Sequence, residues 1–432
     1  MPERLPLGLR LYQLASHAAA PAVRGLIARR VKTGKENPAR YPERRGEPSK
    51  PRPTGPLIWV HGASVGEMLA AVPLIEQLRA RQFAVLVTSG TVTSAALAEG
   101  RLPPGTLHQF IPFDAPRYVD RFLEHWRPDL ALFVESDLWP NILLGAGARR
   151  VPIIVINGRL SERSFKRWRL VPSVISTLLS RLDLCLTQSS VDAQRYGDLG
   201  AARVRVTGNL KLDAPPPPVD EAALTRFHTL IGLREIIVAA STHAGEEAAM
   251  IAAHTRLRAK NPSLLTVIVP RHPARGEGIA ALAKAAGLAV AQRSRGEQPK
   301  REIDVYVADT VGEMGLIYRI APIVFMGGSL ASHGGQNPIE AIRLGAAVLH
   351  GPHVWNFADI YTALDKAHGA APVVDEAMLT DRLGEWLSNP AARKAVAEAG
   401  AAAVKQLGGA LERTLAALDP YLIQLSLEQR AS

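Results

Sequence analysis

A single cysteine in 432 residues, Cys185, excludes an internal disulfide. It lies in Leu184-Cys185-Leu186, a run that reads as a buried strand, where a thiol acts as a small apolar side chain. So little cysteine is compatible with a reducing compartment. Long apolar runs are missing too. In the N-terminal region the longest uncharged stretch is Leu11 to Val23, interrupted by Pro21, whereas a membrane span needs roughly 20 apolar residues. No clean apolar core leads to a small-residue cleavage site, so no secretory signal is expected. The twelve histidines show no HExxH spacing, and His61, His243 and His272 read as hydrogen-bonding residues, not metal ligands. There is no GxSxG elbow, which removes support for a serine hydrolase. No glycine-rich segment matches the dinucleotide fingerprint or the phosphate loop, which argues against NAD enzymes and P-loop ATPases. No RNA-binding aromatic motif is present.

Positive charge is plentiful and uneven. The formal net charge is +11, and residues 1–53 hold twelve Lys or Arg against four Glu, which is +8 of that total. Such asymmetry points to a basic arm that meets a polyanion, either nucleic acid or an anionic membrane surface. Leu5, Leu7, Leu9, Leu11, Leu14, Val23, Leu26 and Ile27 are interspersed with Arg10, Arg24, Arg29, Arg30 and Lys32. An interfacial amphipathic segment with a basic tail fits this mixture; a helix packed on the protein's own core is the alternative.

Beyond a Pro-rich connector (Pro48 to Pro56), short Val/Ile/Leu runs alternate with helical stretches. The first set is Leu57–His61, Ala84–Thr88, Leu130–Val134, Ile153–Ile156 and Leu184–Thr187. After Pro215-Pro216-Pro217-Pro218, a stiff extended connector, a second set follows: Ile236–Ala240, Leu264–Val269, Asp304–Val307, Ile323–Met326 and Ala346–Leu349. Continuous apolar strands between helices imply parallel sheets covered on both faces. The expectation is α/β: two doubly wound, Rossmann-like domains facing a cleft, with ligands beyond the carboxyl ends of the strands.

Three strand-to-helix turns share one pattern: Ser64-Val65-Gly66-Glu67, Thr310-Val311-Gly312-Glu313 and Asn337-Pro338-Ile339-Glu340. Each reads as a capping box or its Asn variant. Each also aims a helix N-terminus where an anion can bind and a glutamate can take a proton or a hydroxyl. The pattern alone leaves both readings open. Glu135-Ser136-Asp137, Asn157-Gly158-Arg159 and Pro270-Arg271-His272 follow apolar strands, and arginines at such ends favour an anionic ligand.

Taken together, HGASVGE (61–67), PFDAPRYVDRFLEHWRPDLALFVESDLWPN (112–141), NGRLSERS (157–164), TGNLKLD (207–213), STHAGEE (241–247), VPRHPAR (269–275), ADTVGEMGLIY (308–318) and GGSLASHGGQNPIEA (327–341) resemble the Kdo (3-deoxy-D-manno-octulosonic acid) transferase family. The resemblance runs in order over the chain after residue 56. It implies a GT-B glycosyltransferase fold: a basic membrane-associating segment (1–50), an acceptor domain (51–213), a linker (214–220), a CMP-sugar domain (221–404) and a C-terminal helix (405–432) returning to the first domain. It implies inverting transfer from CMP-Kdo to a lipid A precursor, lipid IVA, in lipopolysaccharide synthesis at the cytoplasmic face of the inner membrane, with no cofactor, metal or nucleic acid. Glu67 matches the family's catalytic glutamate and Glu135 a second one. Arg271, His272, Gly312, Glu313, Met314, Ser329, Gly335, Asn337, Glu340 and Lys211 fall at donor-binding positions. Ser64, Gly66, Arg159, Ser161 and Ser164 fall on the acceptor side. Gly62 and Ala308 depart from the usual family wording, and Ala308 weakens the case for close backbone approach there. The rival readings are another GT-B enzyme, such as a UDP-sugar transferase or epimerase, and a non-enzymatic nucleic-acid or membrane-binding module.

Overall fold

A computed structural model of the chain describes residues 5–34, 36–213 and 216–431. Residues 1–4 and 35 of the expected basic segment, 214–215 of the expected linker, and 432 lie outside the described residues. The described residues divide into two compact units, one within 1–214 and 408–432, the other within 215–407.

The first unit carries β1 (Leu57–His61), β2 (Ala84–Ser89), β3 (Leu107–Phe110), β4 (Leu130–Val134), β5 (Ile153–Gly158), β6 (Leu184–Thr187) and β7 (Val204–Val206). They form a sheet in the order β3-β2-β1-β4-β5-β6-β7, parallel at every pairing. Side chains alternate across it with period two. Leu57 and Trp59 of β1 join one core layer with Phe133 and Ile153. Ile58 and Val60 join the opposite layer with Leu132 and Ile154. Burial of both faces explains why these runs are continuously apolar.

The second unit repeats the plan with β8 (Ile236–Thr242), β9 (Leu265–Pro270), β10 (Val290–Gln292), β11 (Val305–Val307), β12 (Ile323–Met326), β13 (Ala347–His350) and β14 (Ala371–Pro372). Its order is β10-β11-β9-β8-β12-β13-β14. In each sheet the winding direction reverses once, between β1 and β4 and between β8 and β12. Loops leaving adjacent strands diverge at such a point and open a crevice at the carboxyl ends. Residues 62–67 and 135–141 flank the first switch point; residues 243–247 and 327–337 flank the second.

The N-terminal helix Leu7–Ala19 packs on the first unit's own core, as one of the two readings expected, and leaves other leucines exposed. Leu9, 1% exposed, sits in the first unit's core, and Tyr12 donates a hydrogen bond to Asp114. Leu7, Leu11 and Leu14, spaced along one stripe of the helix, are exposed. The basic tail is not a free arm. Buried Arg44 pairs with Glu36 at 3.1 Å, Arg30 pairs with the same carboxylate, and Arg40 pairs with Glu43; Glu43 accepts the Phe110 N–H of β3. Part of the positive excess therefore neutralises buried glutamates. At the other end, the helix containing residue 405 runs on to Leu407, and a separate helix begins at Ala410. That last helix places Ala417, Leu418, Leu422 and Leu425 in the first unit's core. Asp213 receives the Gly409 and Leu411 N–H groups at 2.8 and 2.6 Å.

Candidate active site

The first unit's site begins where β1 turns into the helix Val65–Ala80. Ser64 caps that helix, accepting the Glu67 N–H at 3.3 Å and donating its hydroxyl to Glu67 Oε1 at 2.7 Å. The Ala63 N–H donates to Glu67 Oε2 at 2.8 Å. This is a capping box whose return half is shifted by one residue, to Ala63 in place of the Ser64 N–H. It also clamps a carboxylate at a switch point. Burial raises the Glu67 carboxyl above its ordinary value, and the charges of Glu135 and Asp137 add to the rise, against the lowering effect of the Ser64 and Ala63 hydrogen bonds. A raised carboxyl suits general-base work near neutral pH. No atom lies within 4 Å of where a Gly66 side chain would begin, so the backbone there is open to close approach.

Two more carboxylates follow β4. Glu135 has φ +63°, a left-handed conformation that costs a non-glycine residue on the order of 1–3 kcal/mol. It is held by an N–H bond to Ile156, by the Tyr196 hydroxyl donating to its carbonyl, and by Lys211 Nζ at 2.7 Å from its carboxylate. Lys211, placed among the donor contacts on resemblance, thus belongs to the first unit and neutralises Glu135. Asp137, absent from the expected site, is oriented by a buried relay. Trp59 Nε1–H donates to Thr88 Oγ1 at 2.8 Å, Thr88 Oγ1 lies 2.9 Å from His61 Nδ1, and His61 Nε2 lies 3.2 Å from Asp137 Oδ2. His61 Nδ1 also lies 3.1 Å from the Thr88 carbonyl, so Thr88 holds the ring through both its hydroxyl and its backbone.

The remaining first-unit residues lie beyond β5. Ser161 caps the helix Glu162–Trp168, accepts the Ser164 N–H and donates to the Ser164 hydroxyl. Both serines are therefore engaged with each other, while Arg159 projects to solvent. Asn157, φ +52°, is fully buried and accepts the Leu210 N–H, tying β5 to the Lys211 segment.

In the second unit, Arg271 and His272 are exposed at the end of β9. Gly312 has φ +90°, which favours glycine. Glu313 does not close a capping box: Arg293 takes both its oxygens and Thr310 donates to it, so its carboxyl is lowered, chiefly by Arg293. Met314 opens the short helix after it. Asn337 Oδ1 accepts the Ile339 N–H, and Gly335, φ +73°, donates its N–H to the Gly328 carbonyl. The Glu340 carboxyl is raised by burial and has no hydrogen-bond partner among the described residues, leaving an acceptor for an incoming hydroxyl. Ser329 departs from expectation. It is fully buried; its hydroxyl donates to Met326 and accepts from Gly351, its carbonyl accepts from His353, and its N–H goes to Glu246. It has no polar group left for a phosphate and instead shapes the turn.

Sequence reasoning noted Asp137 in the cluster after β4 without giving it a role, and gave none to Glu246. Both were visible as acidic residues just beyond apolar strands, in ESDLWPN and STHAGEE, but their partners are distant in sequence.

A family model described as 3-Deoxy-D-manno-octulosonic-acid transferase (kdotransferase) matches residues 39–214. A 3-deoxy-D-manno-octulosonic acid transferase of Bordetella pertussis is 37% identical over 432 residues, covering 96% of this chain and 100% of its own. One of Haemophilus influenzae is 34% identical over 386 residues, 87% of this chain and 89% of its own. Among solved structures, a glycosyltransferase from Rickettsia africae matches at TM-score 0.59 and 12% identity, over 86% of this chain and 99% of its own, a likeness of fold. With two parallel α/β units on the GT-B plan, the chain belongs to the 3-deoxy-D-manno-octulosonic acid transferase family of glycosyltransferases.

Proposed function

We propose that this protein transfers Kdo from CMP-β-Kdo to a hydroxyl of a lipid A precursor, lipid IVA, in lipopolysaccharide inner-core synthesis, with inversion and without a metal ion. The bond from the sugar's anomeric carbon to the CMP phosphate breaks, CMP leaves with its electrons, and the acceptor oxygen bonds to that carbon from the opposite face. The acceptor proton passes to Glu67. The observation that carries this reading is the Glu67 carboxylate: clamped by Ser64 and Ala63, half buried and raised in pKa at the β1/β4 switch point.

Glu135, held by Lys211, positions the acceptor, with Ser64, Gly66, Arg159, Ser161 and Ser164 forming the acceptor side. In the second unit, Arg271 and His272 take the phosphate; Gly312, Glu313 and Met314 line the nucleotide pocket; Gly335 and Asn337 approach the phosphate; and unpartnered Glu340 accepts the ribose hydroxyls. The protein docks on the cytoplasmic face of the inner membrane through the exposed stripe of Leu7, Leu11 and Leu14, aided by Leu26 and the cations Arg10, Arg29 and Lys32, all exposed in the same N-terminal segment. Among the described residues no helix is long and apolar enough to cross a membrane, and apolar insertion plus charge attraction is the usual route to the interface.

The test is incubation with CMP-Kdo and a tetraacylated lipid A precursor, with and without EDTA, wild type beside Glu67→Ala, read by product mass. Gains in units of Kdo that survive EDTA and vanish in the variant are expected. No product from folded wild type overturns the acceptor assignment, and competition by UDP in place of CMP overturns the donor.

A further inference from the structure

Glu246 opens the helix Glu246–Leu257 after β8 and is 2% exposed. Its two carboxylate oxygens accept five backbone N–H groups. Oε2 takes those of His243 at 2.8 Å and Gly328 at 2.7 Å; Oε1 takes those of Ser329, Leu330 and Ala331 at 3.0, 3.0 and 3.1 Å. Successive N–H groups converging in this way make an anion-binding concavity, the arrangement with which glycine-rich loops elsewhere receive phosphate. Here a residue of the chain fills it.

The consequence spreads along the turn. Gly328, φ +69°, gives its N–H to Glu246 and its carbonyl to the Gly335 N–H at 2.8 Å. The glutamate thus fixes the turn after β12, and through Gly328 it fixes the segment that leads to Asn337 and Glu340. The adjacent Glu247, also buried, pairs with Arg275 beyond β9 at 2.5 Å. Because β8 lies between β9 and β12, the two glutamates fasten the loops on either side of it.

We propose that Glu246 is a positioning residue of the donor site: its carboxylate is the built-in anion on which the Gly328–Ala331 turn closes. Those amides are therefore shut to the donor's phosphate, which draws its contacts from Arg271, His272 and the Gly335–Asn337 segment. The proposal rests on the reading that the second unit binds a CMP-sugar. An ionised carboxylate is the only side chain that offers acceptors alone at both oxygens. A glutamine in its place turns an N–H₂ group toward N–H donors, and an alanine leaves the nest empty.

Two readouts on the full chain separate this proposal from the reading beneath it. Amide hydrogen exchange at residues 328–331 needs no ligand. Protection is expected in wild type, fast exchange in Glu246→Gln and Glu246→Ala, and partial return of protection when sodium formate is added to Glu246→Ala. CMP titration by calorimetry is expected to show a loss of tenfold or more in both variants, with formate restoring part of it in Glu246→Ala, a recovery that a merely structural defect would not show. Should Glu246→Ala not fold, the volume-conserving Glu246→Gln carries both comparisons. Unchanged exchange and CMP affinity in Glu246→Gln overturn the proposal, as does a weakened Glu246→Ala that formate leaves unmoved. Wild type that fails to bind CMP while its turn amides are protected overturns the donor reading and leaves the turn's architecture standing.

Discussion

At the scale of single residues, Glu67 has two duties that conflict. As a helix cap it does best ionised, yet burial and the charges of Glu135 and Asp137 favour its protonated form. A carboxyl raised in the folded state makes stability fall as pH rises from its unfolded value to its folded one, so at neutral pH the ionised group is a net cost. Glu67→Gln is therefore expected to cut transfer about 10²–10⁴-fold, the usual worth of a general base, while melting at neutral pH no lower than wild type. A clear drop in melting temperature would make the residue a cap first. The same electrostatics set a pH profile. The rate of transfer, as kcat/KM, should rise with pH through a midpoint above the ordinary glutamate value of 4.5. Asp137→Asn, which removes one of the neighbouring charges, should move that midpoint down; an unmoved midpoint would mean that Asp137 does not sense Glu67. How far such sites were legible depended on sequence distance. Three turns carried one pattern, and only Ser64–Glu67 closed as a capping box, because its partners are local. Glu313 was captured by Arg293 and Ser329 was absorbed by Glu246, interactions that span tens of residues and leave no periodic trace.

At the scale of elements, the strands that the apolar runs announced are the inner ones. The four that they did not announce, β3, β7, β10 and β14, are the two edges of each sheet. Their apolar signal is broken in two ways: in β7 only Val204 is partly buried and β14 holds just Ala371 and Pro372, whereas β3 and β10 are largely buried but carry polar His108, Gln109 and Gln292. The N-terminal helix shows the same division of labour within one element. Leu9 faces the core and Leu7, Leu11 and Leu14 face outward. Leu9→Ala should cost about 2–5 kcal/mol of stability, as core truncations do. Replacing Leu7, Leu11 and Leu14 by Glu should leave the melting temperature nearly unchanged and abolish flotation with vesicles containing anionic lipid. Each of those leucines stands to lose up to about 1.5–3 kcal/mol of burial. If the triple variant still floats, the exposed cations alone hold the protein to the membrane.

At the scale of the whole molecule, the chain leaves the first unit at a proline run and comes back at Gly408, so the first unit is closed by its two ends. The return has a specific fastening: Asp213, at the exit, accepts the Gly409 and Leu411 N–H groups at the re-entry. The last helix then covers a core layer with Leu418 and Leu422, both nearly fully buried. Ending the chain at Leu407 uncovers those apolar partners at roughly 1.5–3 kcal/mol per leucine and leaves Asp213 without two donors. Natural domains hold only about 5–15 kcal/mol in reserve, so a loss of this size is expected to unfold the first unit near ambient temperature. Among the described residues, the core cluster of the second unit, within residues 215–407, includes none from that helix. Calorimetry of the truncated chain should therefore lose or greatly lower one transition while keeping another that CMP raises in temperature, because a ligand that binds only the folded state stabilises the unit that holds it. Two transitions that fall together would mean that the units unfold as one cooperative body, and a surviving transition blind to CMP would remove the nucleotide from the second unit.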